Sequence, residues 1–138
     1  MVSRRRLHPR SWAYSQNASF AQGVEVGDTV YVAGQAALDE YGTVVGVGDM
    51  QAQTRQTFKN IAVVLAEAGL TMDDVVKITA YITDIGKYSE YTAVRKETFT
   101  KHLPASATVA TPALVLPELL VEVEAVAVKG SGASTSRG

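Results

Sequence analysis

The chain has 138 residues, of which 46% are hydrophobic and 20% charged, with a formal net charge of −1. That length supports one hydrophobic core, and the near-neutral balance argues against a nucleic-acid partner, whose binding domains carry a clustered basic face. There is no cysteine, which removes disulfides, thiolate metal sites and cysteine nucleophiles.

No apolar h-region follows Met1 and no apolar run reaches about 18 residues, so the expectation is a cytoplasmic protein with no membrane partner. The one basic cluster, Arg4 to Arg6 with His8 and Arg10, lies within residues 1–17 and reads as a flexible solubilising end. The domain proper is expected over residues 18–129. Ala18–Val26 reads as a strand, Gly27-Asp28 as a turn, and Thr29–Gln35 as the hairpin partner. Strict alternation would put Val30, Val32 and Gly34 on one face and Tyr31, Ala33 and Gln35 on the other. A short strand is expected at Thr43–Val45. Asp49 is then a cap for a helix to about Ala68, closed by Gly69, with Phe58, Ile61, Ala62, Leu65 and Ala68 on its buried stripe.

Val75–Thr83 reads as a strand with Val76, Ile78, Ala80 and Ile82 inward. A second helix is expected over Lys87–His102, stopped by Pro104. Ala105–Thr111 and Leu119–Val128 complete the strands, the last with Val121, Val123, Ala125 and Ala127 on one face. Residues 130–138, small and polar, are expected to be a disordered tail. This order implies an α+β fold, a mixed β-sheet with two helices on one face. The other face, carrying Tyr31, Thr79, Tyr81, Val126 and Val128, calls for association.

Glu122 and Glu124, two apart on a strand, point to the same side about 7 Å from one another. Like charges that close raise one proton affinity, which suits acid–base work; equally, both carboxylates can simply solvate a face. His8 and His102 lie far apart without cysteines, so no metal is expected. Gly46-Val47-Gly48 is too short for a phosphate loop. Ser15 and Ser106 show no histidine-plus-acid partners. Arg55 and Arg95 fall on helices, where long cations ordinarily cover solvated surface.

The string VEVGDTVYVAGQ (Val24–Gln35), the turn at Tyr41-Gly42, AQTRQTFKNI (Ala52–Ile61) and the closing VEVEA together resemble the reactive-intermediate deaminase (Rid, or YjgF) family over roughly residues 18–129. The resemblance implies a chorismate mutase-like fold, a homotrimer with sheets facing inward, ligand clefts between subunits, and cofactor-free hydrolysis of enamines or imines. It also assigns Glu122 to positioning water, and Gly34 to a close backbone approach by ligand. The family's arginine, which grips a substrate carboxylate, is replaced in Pro104-Ala105-Ser106-Ala107-Thr108-Val109 by Ser106. Two further hydroxyls are missing, at Phe20 and Ala33. The expected cleft is therefore formed by Phe20, Ala33, Gly34, Ser106, Ala107, Thr108 and Glu122. With no guanidinium in it, the expected substrate is a small molecule other than the usual 2-imino acids. A non-catalytic trimeric module binding a small molecule or a protein is the alternative. Ribonuclease activity, attached by name to parts of the family, is disfavoured by the absence of a basic groove.

Overall fold

A computed structural model describes residues 2–134 of the chain. The elements in order are β1 (Arg4–Leu7), β2 (Gly23–Val26), β3 (Thr29–Ala36), α1 (Met50–Ala66), β4 (Val75–Ile82), α2 (Tyr88–Thr98), β5 (Ala105–Ala110) and β6 (Val121–Val128). Six strands form one sheet in the order β1-β2-β3-β6-β4-β5, antiparallel except for the β4–β5 pair. Both helices cover one face, giving the expected α+β arrangement. No helix among the described residues is long and apolar enough to cross a membrane.

Each element follows from local chemistry. The Asp49 carboxylate accepts the Ala52 amide at 3.0 Å, satisfying one of the orphan donors at the start of α1. At the other end Gly69 adopts φ +77, and the Leu70 amide folds back onto the Leu65 carbonyl at 3.0 Å. The stripe of α1 buries Phe58, Ile61, Val64 and Leu65 against Val32, Ile78, Ala80, Val121, Val123 and Ala125 of the sheet. Fully burying each large aliphatic or aromatic side chain contributes about 1.5–3 kcal/mol. Phe58 meets Phe99 edge to face, with centroids 5.4 Å apart, and so ties α1 to the residue that ends α2.

The structure corrects several expectations. Residues 4–7 are not a flexible end: β1 pairs with β2 from Arg4–Val26 to Leu7–Gly23, and Leu7 and Trp12 are buried. The arginines are solvated edge-strand residues, and Arg5 pairs with Glu25 at 3.2 Å. The tail is ordered through Ser134. Ser131–Ala133 form a 3-10 turn, the Gly132 amide donates to Asp74 Oδ1 at 2.8 Å, and the Ser131 hydroxyl donates to the Asp74 carbonyl at 3.1 Å. The expected disorder of residues 135–138 lies outside the described residues.

Residues 18–22 precede β2 rather than belonging to it, and α2 ends at Thr98. Val76 turns outward because the pairing with β6 slips between Val75 and Lys77. The bridge between Leu38 and Val44 stands where the short strand was expected.

If β1 is as integral as its buried Leu7 implies, Leu7→Ala will destabilise the protein by about 2–5 kcal/mol in urea unfolding. An unchanged midpoint would show that this strand does not dock.

Candidate functional site

Alternation along β6 sends Val121, Val123, Ala125 and Ala127 into the core and Glu122 and Glu124 to the uncovered face. The opposing strand breaks its own alternation. Val32 pairs with Ala125 and Gln35 with Val123, so Ala33 and Gly34 together oppose Glu124, which is a β-bulge. The extra residue turns Gln35 inward and leaves Gly34 on the side of Glu122, the reverse of the predicted faces.

The consequence is a close approach. A Cβ at Gly34 would stand 2.9 Å from both Cδ and Oε2 of Glu122. Only glycine lets that carboxylate lie over the strand.

Around this contact lies a hollow of about 280 Å³ lined by Tyr14, Phe20, Gln22, Gly34, Gln35, Asn60, Val115 and Glu122, among others. Its floor is held by buried amides. Gln35 Nε2 donates to Gln22 Oε1 at 2.8 Å and to the Ala33 carbonyl at 3.2 Å. Asn60 Nδ2 donates to the carbonyls of Ala36 and Leu38 at 2.9 and 2.8 Å.

Glu122 is half-buried, and among the described residues it has no ion-pair partner. Burial, and then the charge of Glu124, raise its pKa above the ordinary carboxylate range. Glu124 is exposed and accepts a hydrogen bond from the Tyr81 hydroxyl at 2.9 Å. The two glutamates thus have different surroundings, as paired acid–base groups require.

Ser15 also borders this hollow, and its hydroxyl lies 2.9 Å from His8 Nε2. The pairing is not nucleophilic. His8 Nδ1 faces Arg6 Nη2 at 2.8 Å, and a guanidinium can only donate, so Nδ1 accepts and Nε2 carries the proton. Burial, and then Arg6, lower the His8 pKa. The ring donates to Ser15, which in turn donates to the Trp12 carbonyl at 3.3 Å.

A second hollow, of about 590 Å³, opens between α2 and β5; its lining includes Tyr88, Thr92, Arg95, Lys96, Phe99, Leu103, Pro104 and Ser106. The parallel register sets Ser106 beside Ile78 and Thr108 beside Ala80, on the helix side, and Ala107 beside Thr79 on the uncovered face. Arg95 Nη1 donates to Ser106 Oγ at 3.0 Å and Nη2 to the Tyr88 hydroxyl at 3.4 Å. The guanidinium carbon sits 5.8 and 5.4 Å from the ring centres of Tyr88 and Tyr91. Burial of Tyr91 pushes its phenol up to about 12.

Within the chain the expected cleft is therefore divided. Phe20, Gly34 and Glu122 share the first hollow and Ser106 lines the second, while Ala33, Ala107 and Thr108 line neither. The Ala33 amide instead donates to the Gln22 carbonyl at 2.9 Å. The position read as free of a guanidinium has one, supplied by the helix. The spacing of Tyr88, Tyr91 and Arg95, seven and four residues apart, was the available signal for a stacked cation. Gln22 and Gln35 were missed because their contact follows from the bulge, and Asn60 because its partners are the Ala36 and Leu38 carbonyls, more than 20 residues away in the chain.

The family described as Endoribonuclease L-PSP matches residues 12–129. A RutC family protein of Pyrococcus abyssi is 38% identical over 112 residues, covering 80% of this chain and 86% of that protein. A protein of Salmonella typhimurium named 2-iminobutanoate/2-iminopropanoate deaminase is 32% identical over 113 residues, covering 80% and 87%. Among solved structures, a YjgF/YER057c/UK114 family member of Mycobacterium tuberculosis superposes with a TM-score of 0.79 at 34% identity, covering 91% of this chain and 99% of that one. Escherichia coli TdcF with bound serine gives 0.81 at 27% identity, covering 91% and 99%. The chain belongs to this Rid/YjgF family.

The raised Glu122 pKa has a sign that stability can read. The fold holds this proton more tightly than the unfolded chain does, so ionising Glu122 weakens the fold as pH rises from the usual carboxylate range through the raised value. Glu122→Gln should therefore raise Tm relative to wild type at about pH 8 by more than it does at about pH 4, near the ordinary glutamate pKa. A gap that does not change with pH would contradict the burial of this charge.

Proposed function

We propose that this protein is a cofactor-independent hydrolase that deaminates a small enamine or imine, in clefts formed where the protomers of a homotrimer meet. The observation that carries the reading is Glu122, half-buried over Gly34 with its proton affinity raised. Such a carboxylate can take a proton from water near neutral pH and give it back.

The chemistry balances without a cofactor. An enamine first tautomerises to its imine. Water adds to the C=N carbon, the proton it gives up passing through Glu122 to the nitrogen, which gives a tetrahedral carbinolamine. The hydroxyl proton then passes by the same carboxylate to the nitrogen as the C–N bond breaks, releasing ammonia and leaving a carbonyl. The fixed amides of Gln22, Gln35 and Asn60 keep the strand and its bulge in register around the acid.

Assembly is supported by incompleteness. The hollow at Glu122 holds the acid, the one at Ser106 holds cations, and each opens at the surface of the protomer. Apposing them across a boundary between copies would complete the cleft. The uncovered sheet face carries Tyr31 and Val109, which are 51% and 46% exposed, and its burial is a natural consequence of such packing.

Relatives in Salmonella typhimurium and Mus musculus are named for 2-iminobutanoate and 2-iminopropanoate. In this chain the short Ser106 and the walls of Phe20, Phe99, Leu103 and Pro104 favour a substrate with a larger apolar body than those two.

The test is ammonia release from a panel of imines generated in situ, with wild type and Glu122→Gln. Wild type should turn over at least one, and the substitution should slow it by about 10²–10⁴-fold. Glu124→Gln removes the neighbouring charge, lowers the Glu122 pKa and should move the acidic limb of the rate profile to lower pH. Ligand binding with no turnover by wild type would replace this reading with a non-catalytic binding module. Turnover that Glu122→Gln leaves intact would remove Glu122 from the chemistry.

A further inference from the structure

The geometry points to an anion site on α2, in which Arg95 takes the carboxylate of a ligand whose apolar body fills the hollow above Ser106. Arg95 is the reason. Among the described residues no carboxylate lies within ion-pair distance of it, whereas Arg5 and Arg55 each have a glutamate. An arginine left unpaired at a surface is ordinarily mobile. This one is fixed by the Ser106 hydroxyl at 3.0 Å and the Tyr88 hydroxyl at 3.4 Å, and stacked near two tyrosine rings.

Those two bonds use one N–H on each terminal nitrogen. A guanidinium has five donors in a planar fork, so three remain for an incoming oxyanion. The hollow adds a second cation, Lys96, and no acidic residue lines it. Phe99, Leu103 and Pro104 supply apolar walls beside the charge. A site with two positive charges, an oriented fork and apolar walls selects a monocarboxylate with a hydrophobic substituent. A carboxylate contact of this kind is both stronger and more directional than a neutral one.

Ser106 then has a definite role. Its hydroxyl accepts from Arg95 and so positions the guanidinium at the point where the strand itself offers no cation. The charge is supplied from the helix instead. This deepens the deaminase reading, on which it rests for the identity of the substrate as an imine, by requiring that imine to carry a carboxylate.

The test separates the two claims. Calorimetric titration of wild type with phenylpyruvate and with its methyl ester reads the anion site without any turnover. The acid should bind wild type more tightly than the ester by about 30-fold or more, the scale of a charge-assisted contact. Arg95→Met should erase that preference while leaving ester binding unchanged, and Arg95→Lys should retain part of it. A melting temperature equal to that of wild type confirms that Arg95→Met is folded. Equal binding of acid and ester by wild type, no binding of either, or a preference that survives in Arg95→Met overturns the proposal. Acid binding that depends on Arg95 in a protein that turns over no imine upholds the anion site and discards the deaminase reading. In kinetics, Arg95→Met should raise KM for an imino acid far more than it lowers kcat, because the contact is made equally in ground and transition states. Imine turnover with KM unaffected by Arg95→Met overturns the anion site and spares the deaminase.

Discussion

A carboxylate resting on a bare stretch of backbone organises this protein's candidate chemistry. Glu122 can occupy its place because the residue beneath it has no side chain, and a single added carbon would approach its carboxyl group to 2.9 Å. That constraint reaches backward into the fold. The bulge in β3 brings Gly34 to this face, turns Gln35 into the interior and creates the amide contacts with Gln22 that fix the strand. It also reaches forward into electrostatics, since the same close packing withdraws Glu122 from water while Glu124, one pleat along, stays exposed.

The charge distribution of the chain is uneven in a way that matters for the proposed function. The acidic hollow at the start of β6 and the cationic hollow between α2 and β5 are separate cavities on one chain. Neither contains the opposite charge that would neutralise it. In a single protomer both are open and solvated, which weakens electrostatic effects; enclosure between copies would strengthen each of them by excluding water. The proton transfer and the anion recognition proposed for these hollows would both gain from such enclosure.

Much of the fold was legible because local rules agreed with one another. In β6 the residues at 121, 123, 125 and 127 are valine or alanine and the two positions between the first three are glutamates, so burial and register could be read from period alone. The first helix declared its ends through Asp49 and Gly69. What failed did so for identifiable reasons. A bulge adds one residue to one strand without altering composition, so neither Gly34 nor Val76 could be assigned to the correct face from alternation. The arginines of β1 read as a solvated end because edge strands carry charge by design, and the buried anchors Leu7 and Trp12 were too sparse to outweigh them. At the site, Glu122 and Gly34 were pointed to by the resemblance of the closing strand and the hairpin to the Rid family, and the structure brings the two together. Arg95 reads as an ordinary solvated helix cation: its spacing from Tyr88 and Tyr91 signals the stacking, but its contact with Ser106 joins a helix to a strand, and no sequence spacing encodes that.

The most direct measurement is the carboxyl-carbon NMR titration of Glu122 in the intact protein. A midpoint clearly above the ordinary glutamate value of about 4.3 is expected. A Glu122 midpoint at or below that ordinary value would mean that the carboxylate is neither withdrawn from water nor poised to carry a proton, and the functional reading built on it would fall.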